Sequence, residues 1–230
     1  YGKTVLINVE TGQSRNYSSG HRNPQGLAVA ADGSIWLTDH GARGGDELNQ
    51  VSEGKDYGHP SVSYGTEYEF LVWRRNPRQG HHDGFEKPTY AWIPSIATSQ
   101  LAIIEKSLFA NWQGDLLITS LKAQTLYRVR IEDGRVVFAE PIPIGHRIRD
   151  IIEAGDGSVV MKTDDNLLVY LRPVDSTTMY RMNLSSDARG QVLASTCASC
   201  HEMSPNALDG LGPNLWQVTG RAIASRETYD

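Results

Sequence analysis

The chain has 230 residues, with 22 lysines and arginines against 27 aspartates and glutamates, a formal net charge of −5. That balance excludes a dedicated nucleic-acid binder, which would carry a basic stripe. Apolar residues make up 39% of the chain and with the 22 glycines come to about half of it, an ordinary globular share, and no run approaches the roughly 18 consecutive apolar residues of a membrane helix. No apolar signal core follows Tyr1, so any export signal is expected outside this stretch.

From Tyr1 to about Leu171 the chain reads as short strands broken by turns. Val5 to Val9 alternates towards Thr11-Gly12, Leu27 to Val29 precedes the turn Asp32-Gly33, and Ile35 to Thr38 follows it. Leu116 to Thr119 follows Gly114-Asp115. Thr125 to Ile131 and Arg135 to Ala139 flank Glu132-Asp133-Gly134, a hairpin signal because glycine tolerates positive φ. No segment here sustains a helical period.

The stretch from Leu27 to Asp39 is echoed from Ile151 to Asp164, with a looser copy from Trp112 to Ser120. The matching turn glycines are Gly33, Gly114 and Gly157. The last two are spaced like successive propeller blades, which repeat every 40–50 residues or so, whereas the first gap requires an insertion or an additional irregular blade. The expected class is therefore all-β, about three blades of a β-propeller, with a β-sandwich as the alternative. Propellers use about four to eight blades, so the sequence is expected to be part of a longer protein.

Residues 173–187 lose the strand pattern and read as a linker between the propeller part, 1–172, and a second unit, 188–230. A short helix is expected from Ala188 to deliver Cys197-Ala198-Ser199-Cys200-His201. Two thiols three positions apart can form thioethers with the haem vinyl groups while the adjacent imidazole reaches the iron. The chain has only 2 cysteines, which disfavours a zinc site, and no βαβ context supports a redox dithiol. The motif reads as attachment of haem c, with His201 on the iron.

Gly212-Pro213-Asn214-Leu215 and Gly220-Arg221 resemble the stretch that follows the attachment site in small soluble c-type cytochromes. The resemblance implies a hydrogen bond from His201 to the Pro213 carbonyl, Arg221 near a haem propionate, and a truncated all-α cytochrome segment. The distal methionine of that family is expected downstream of Asp230, since Met203 is too near to reach the opposite haem face.

Within the first part, several motifs occur in a characteristic order. They are Gly20-His21-Arg22-Asn23-Pro24-Gln25-Gly26, His40-Gly41-Ala42-Arg43-Gly44-Gly45-Asp46-Glu47, Tyr57-Gly58-His59-Pro60, Pro94-Ser95-Ile96-Ala97, Ser120-Leu121-Lys122 and Arg147-Ile148-Arg149-Asp150. They resemble the glucose/sorbosone dehydrogenase family, six-bladed quinoproteins that use pyrroloquinoline quinone (PQQ) and calcium. The resemblance implies that Arg22, Asn23, Gln25, Lys122, Arg147 and Arg149 bind the PQQ tricarboxylate. It also implies that the Gly41 and Ala42 carbonyls take the calcium at PQQ, and that Glu47 and the Tyr57 carbonyl take a structural calcium. Ala42 stands where the family has proline, a change that leaves the carbonyl in place.

Independently of the family, arginine suits carboxylate recognition, and Arg147 and Arg149 would share one face of an extended strand. Tyr68 and Trp92 could wall a flat cofactor, while His81-His82 reads as a solvated loop. The family's general-base histidine is expected upstream of Tyr1, so the 230 residues by themselves are expected to be inactive. The implied whole protein oxidises an aldose to its lactone in the periplasm or at the outer face of the cell. Its electrons would pass to the attached haem and then to a further acceptor. Two rivals stay open: a haem electron carrier with a non-catalytic propeller docking module, and a calcium-dependent sugar lactonase.

Overall fold

The computed structural model describes residues 2–66 and 80–174. The chain divides into two units, Tyr1–Pro173 and Val174–Asp230, and the fold below is that of the first. Cys197, Cys200, His201, Pro213 and Arg221 lie outside the described residues, as does Tyr68.

Four antiparallel sheets follow one another along the chain. The first pairs β1 (Thr4–Ile7) with β2 (Ser14–Ser18). The second is a four-stranded meander of β3 (Pro24–Val29), β4 (Ile35–Asp39), β5 (Asp46–Val51) and β6 (Tyr90–Trp92). The third repeats it with β7 (Thr98–Ile103), β8 (Leu116–Ser120), β9 (Thr125–Glu132) and β10 (Arg135–Pro143). The fourth contains β11 (Ile148–Glu153), β12 (Val159–Thr163) and β13 (Leu168–Leu171). Among the described residues the only helical segment is a 3-10 turn, Ser107–Trp112.

The three repeated glycines occupy equivalent places. Gly33, Gly114 and Gly157 all have φ between 82° and 85° and lie in the connection between the first and second strands of their sheets. The long first gap is an insertion, because residues 52–89 join β5 to β6 inside one sheet. The β1–β2 hairpin is a separate sheet that the turn-glycine pattern does not reveal.

Three apolar layers alternate with the sheets. Leu37, Val51 and Tyr57 pack with Tyr17 near the first hairpin. Trp36, Leu48 and Trp92 meet Leu101, Leu116, Ile118 and Val129 between the second and third sheets. Leu117 and Leu126 meet Ile148, Ile151, Val159 and Met161 between the third and fourth. The strand period of two explains β8: Leu116 and Ile118 enter one layer and Leu117 the other, so Leu-Leu-Ile-Thr-Ser is buried on both faces. A sandwich has a single core between two sheets, whereas this chain stacks layers in series as blades do.

The first strands of successive sheets are fastened by hydroxyls near one end. Thr38 Oγ1 receives the Gly26 amide at 2.9 Å and donates to the Ser99 carbonyl at 2.8 Å. Ser99 Oγ donates to the Ile148 carbonyl at 2.6 Å. The loop after β4, the Ser120–Thr125 turn and the start of β11 consequently share one end of the stacked sheets.

Candidate functional site

Asp39, the last residue of β4, is buried and accepts the Arg22 and Asn23 amides at 2.7 and 2.6 Å. Burial pushes its carboxyl up, against the pull of those two amides. Arg22 reaches the following loop, donating to the His40 and Gly41 carbonyls at 2.9 and 3.0 Å. The loop is glycine-rich for steric reasons. A Cβ on Gly41 would lie 2.4 Å from the Gly44 and Gly45 carbonyl oxygens.

Glu47 lies beside this loop on β5, 9% exposed, with one long hydrogen bond from Asn49 Nδ2 at 3.3 Å. Burial, reinforced by Asp39, pushes it up to about 7. Next to it is a cavity of about 10 Å³, room for one water-sized or ion-sized occupant, lined by Asp39, Gly41, Glu47, Tyr57 and His59 among others. The Tyr57 carbonyl accepts no hydrogen bond among the described residues. An under-satisfied buried carboxylate beside the unengaged Tyr57 carbonyl offers oxygen donors of the kind a calcium ion accepts, so these residues fit one. Gly41 also suits a cation, since Arg22 uses only one lone pair of its carbonyl.

Tyr57 is held from beneath by His21. The rings stack with centroids 4.7 Å apart, and His21 Nε2 meets Ser18 Oγ at 2.8 Å. Its Nδ1 has no partner and lies 4.0 Å from Asp39, and burial pushes the imidazole down to about 4.

A larger cavity of about 650 Å³ lies between the loop after β4 and the entry to β7. His40, Ala42, Arg43 and Gly44 form one wall; Ile93, Pro94, Ser95, Ala97 and Lys122 form the other. Lys122 is exposed, and among the described residues its ammonium makes no ion pair. A third cavity, of about 460 Å³, collects Gln25, Gln100, Arg149, Lys162 and Asp164. Arg147 and Arg149 share an internal carboxylate: Arg147 Nε donates to Asp164 at 2.7 Å, and Arg149 Nε bonds the other oxygen of the same carboxylate. Two guanidiniums against one carboxylate leave a positive surplus, and both arginines are about half exposed, at 46% and 50%.

The expected residues therefore fall into three neighbouring cavities. Arg22, Gly41, Glu47 and Tyr57 line the smallest, Ala42 and Lys122 the largest, and Gln25 and Arg149 the third. Asn23 is exposed and takes part through its backbone. Trp92 is a core residue, edge-on to Tyr90 and Tyr127. Of the two loop histidines, His81 is exposed, but His82 is buried and stacked on Tyr64. Sequence reasoning missed Asp39, Ser95 and Asp164. Asp39 and Asp164 are short polar residues at strand ends and Ser95 lies in the connection from β6 to β7, and only the pairing of distant strands reveals their partners.

The model of the Glucose / Sorbosone dehydrogenase family matches residues 4–170. The chain belongs to that family. It is 34% identical over 158 residues to the aldose sugar dehydrogenase YliI of Escherichia coli strain K12, a match covering 65% of this chain and 41% of that protein. It is 23% identical over 205 residues to the quinoprotein glucose dehydrogenase B of Acinetobacter calcoaceticus, covering 66% and 43%. A crystal structure of a glucose dehydrogenase superposes with a TM-score of 0.68 at 33% identity, covering 76% of this chain and 55% of that one. The chain thus spans less than half the length of these two relatives. Family membership supports an oxidoreductase with a propeller scaffold.

Proposed function

We propose that the protein to which this chain belongs oxidises an aldose to its lactone, using PQQ and calcium. The observation that carries the reading is the cationic lining of the 650 Å³ cavity, which holds Arg43 and Lys122 and, among the described residues, no carboxylate, with Arg147 and Arg149 on the single carboxylate of Asp164 at the third cavity. A tricarboxylate is the anion such a set suits. The name of the quinoprotein glucose dehydrogenase supports the quinone, and that of the aldose sugar dehydrogenase supports the substrate class.

Lys122, Arg147 and Arg149 would bind the carboxylates, with Arg22, Asn23 and Gln25 at the entry to β3 completing the set. The Gly41 and Ala42 carbonyls would hold the calcium next to the cofactor, and Glu47 with the Tyr57 carbonyl a structural calcium. When bound, PQQ supplies the two-electron acceptor for the alcohol. The substrate loses two electrons and two protons, and the general base is assigned to a histidine outside this sequence. Cys197, Cys200 and His201 would hold haem c, with Pro213 and Arg221 in its pocket. Attachment to the same chain raises the effective concentration of this one-electron acceptor. A protein carrying both haem c and PQQ would work in the periplasm or at the outer face of the cell, delivering electrons to a further carrier.

Titration of the chain with PQQ in calcium, followed by tryptophan fluorescence, tests the reading. Saturable binding that chelation of calcium abolishes, weakened about tenfold or more by Lys122→Ala, is the expected result. Turnover of a sugar lactone with no electron acceptor would favour the lactonase, and haem absorption without quinone binding the docking module; either outcome overturns the proposal.

A further inference from the structure

Asp46 opens β5 and is 0% exposed, yet among the described residues no ion pair reaches it. Its charge is carried by three donors alone. Oδ1 accepts the Gly41 amide at 2.8 Å and the Ser95 hydroxyl at 2.5 Å, and Oδ2 accepts the Thr98 amide at 3.1 Å. The donors come from three pieces of chain: the loop after β4, the segment entering β7, and the first residue of β7.

Those pieces are the two walls of the 650 Å³ cavity. Gly41 lies between His40 and Ala42 of one wall, and Ser95 belongs to the other with Lys122. The carboxylate also crosses between sheets, since β5 belongs to the second and Thr98 to the third. A backbone amide held by a fixed acceptor fixes its whole peptide plane, and with it the direction of the preceding carbonyl.

We propose that Asp46 is a positioning residue that clamps the two walls of this cavity together and fixes the His40–Gly41 peptide, whose carbonyl then meets Arg22. Only a carboxylate of this length serves, because both of its oxygens must accept. An asparagine keeps the volume but carries one acceptor oxygen and an NH2 group. It would set the NH2 against either the Thr98 amide or the Gly41 amide, where the Ser95 hydroxyl can turn to accept, and so lose one of the two amide bonds that hold the clamp. Asp39 and Glu47 nearby are carboxylates too and offer Asp46 no ion pair, so its place here is explained by the geometry of its three donors.

The clamp is tested in the cofactor-free 230-residue chain by amide hydrogen exchange at Gly41 and Thr98, and then by PQQ titration in calcium. The second measurement rests on the quinone reading above; the first does not. Asp46→Asn is expected to speed exchange at one of the two amides about tenfold or more and to weaken PQQ binding about tenfold, with a melting temperature within a few degrees of wild type. Ser95→Ala, which leaves the carboxylate and both amide bonds in place, is expected to retain protection at Gly41 and Thr98 while weakening PQQ binding less. Should Asp46→Asn fail to fold, Ser95→Ala decides the matter: unchanged PQQ affinity together with unchanged exchange at the Ser95 and Ile96 amides overturns the clamp. Wild-type protection of both amides in Asp46→Asn overturns it as well. A wild-type chain that binds no PQQ overturns the quinone reading and leaves exchange to judge the clamp.

Discussion

Among the described residues, Glu47 and His21 have proton affinities shifted far from their ordinary values on folding, and in opposite senses. Glu47 is raised from 4.5 to about 7, so the folded chain holds its proton more tightly than the unfolded chain. Its stabilising contribution is complete below the unfolded value and is lost as pH rises through about 7, a swing of roughly 3 kcal/mol. In the calcium-free chain the wild type should therefore lose stability relative to Glu47→Gln between about pH 5 and pH 8 in urea melts. Calcium needs the carboxylate, so the calcium-induced rise in melting temperature should grow over the same range and vanish in Glu47→Gln. His21 is lowered from 6.5 to about 4, so the folded state holds fewer protons than the unfolded one between those values. Stability present above the unfolded value is lost as pH falls through the folded one, again by roughly 3 kcal/mol. His21→Gln should remove that acid sensitivity. Between about pH 4.5 and 6.5 the two slopes oppose, so each is read as a difference between wild type and its own variant.

At the scale of elements, the close approach of neighbouring first strands is set by Gly26. It lies at the register shift between Pro24 and Leu27, and its amide bonds Thr38 Oγ1, which in turn reaches Ser99 on β7. A Cβ at this position would come within 2.6 Å of the Leu101 amide nitrogen. Backbone cannot yield as a flexible side chain can, so Gly26→Ala should cost about 1–3 kcal/mol in denaturant melts. The same shift should displace the entry to β3 and weaken PQQ binding, whereas Gly33→Ala, at a turn where a Cβ meets nothing, should disturb only the local backbone. A second element-scale device is Asp115, 1% exposed at the start of β8, where it anchors Arg128 and Arg130 at 2.6 and 2.7 Å. Arg128 is stacked over Trp112 and Phe138 as well, which ties the 3-10 turn to the outer strands. These arginines are structural, in contrast to the exposed pair Arg147 and Arg149.

For the whole molecule, the described unit supplies three cavities at one end of a stack of sheets, and the motif Cys197-Ala198-Ser199-Cys200-His201 lies on the same chain outside the described residues. If the motif carries haem c, the chain produced in a host with cytochrome c maturation should keep haem through denaturing electrophoresis. Cys197→Ser with Cys200→Ser should lose the haem-stained band. A non-covalent haem or none would contradict the electron-transfer half of the proposal without touching the quinone half.

Local patterns made much of this legible. The strands on either side of Asp133 and Gly134, the equivalence of Gly33, Gly114 and Gly157, and the family motifs depend on neighbouring residues, because turn geometry and strand period are short-range properties. The insertion within the second sheet, the separate β1–β2 hairpin and the three-layer core depend on which strands pair, a choice that turn glycines do not encode. The sequence named Arg147 and Arg149 as partners for one anion, but only the folded chain brought Asp164 between them from 15 residues away. It likewise placed Asp46 against Gly41, Ser95 and Thr98, since a buried carboxylate finds its donors only after two sheets have packed. The residue types carrying the chemistry were written in the linear chain, and their division among three cavities was settled by packing, which alone fixes distances between groups far apart along the backbone.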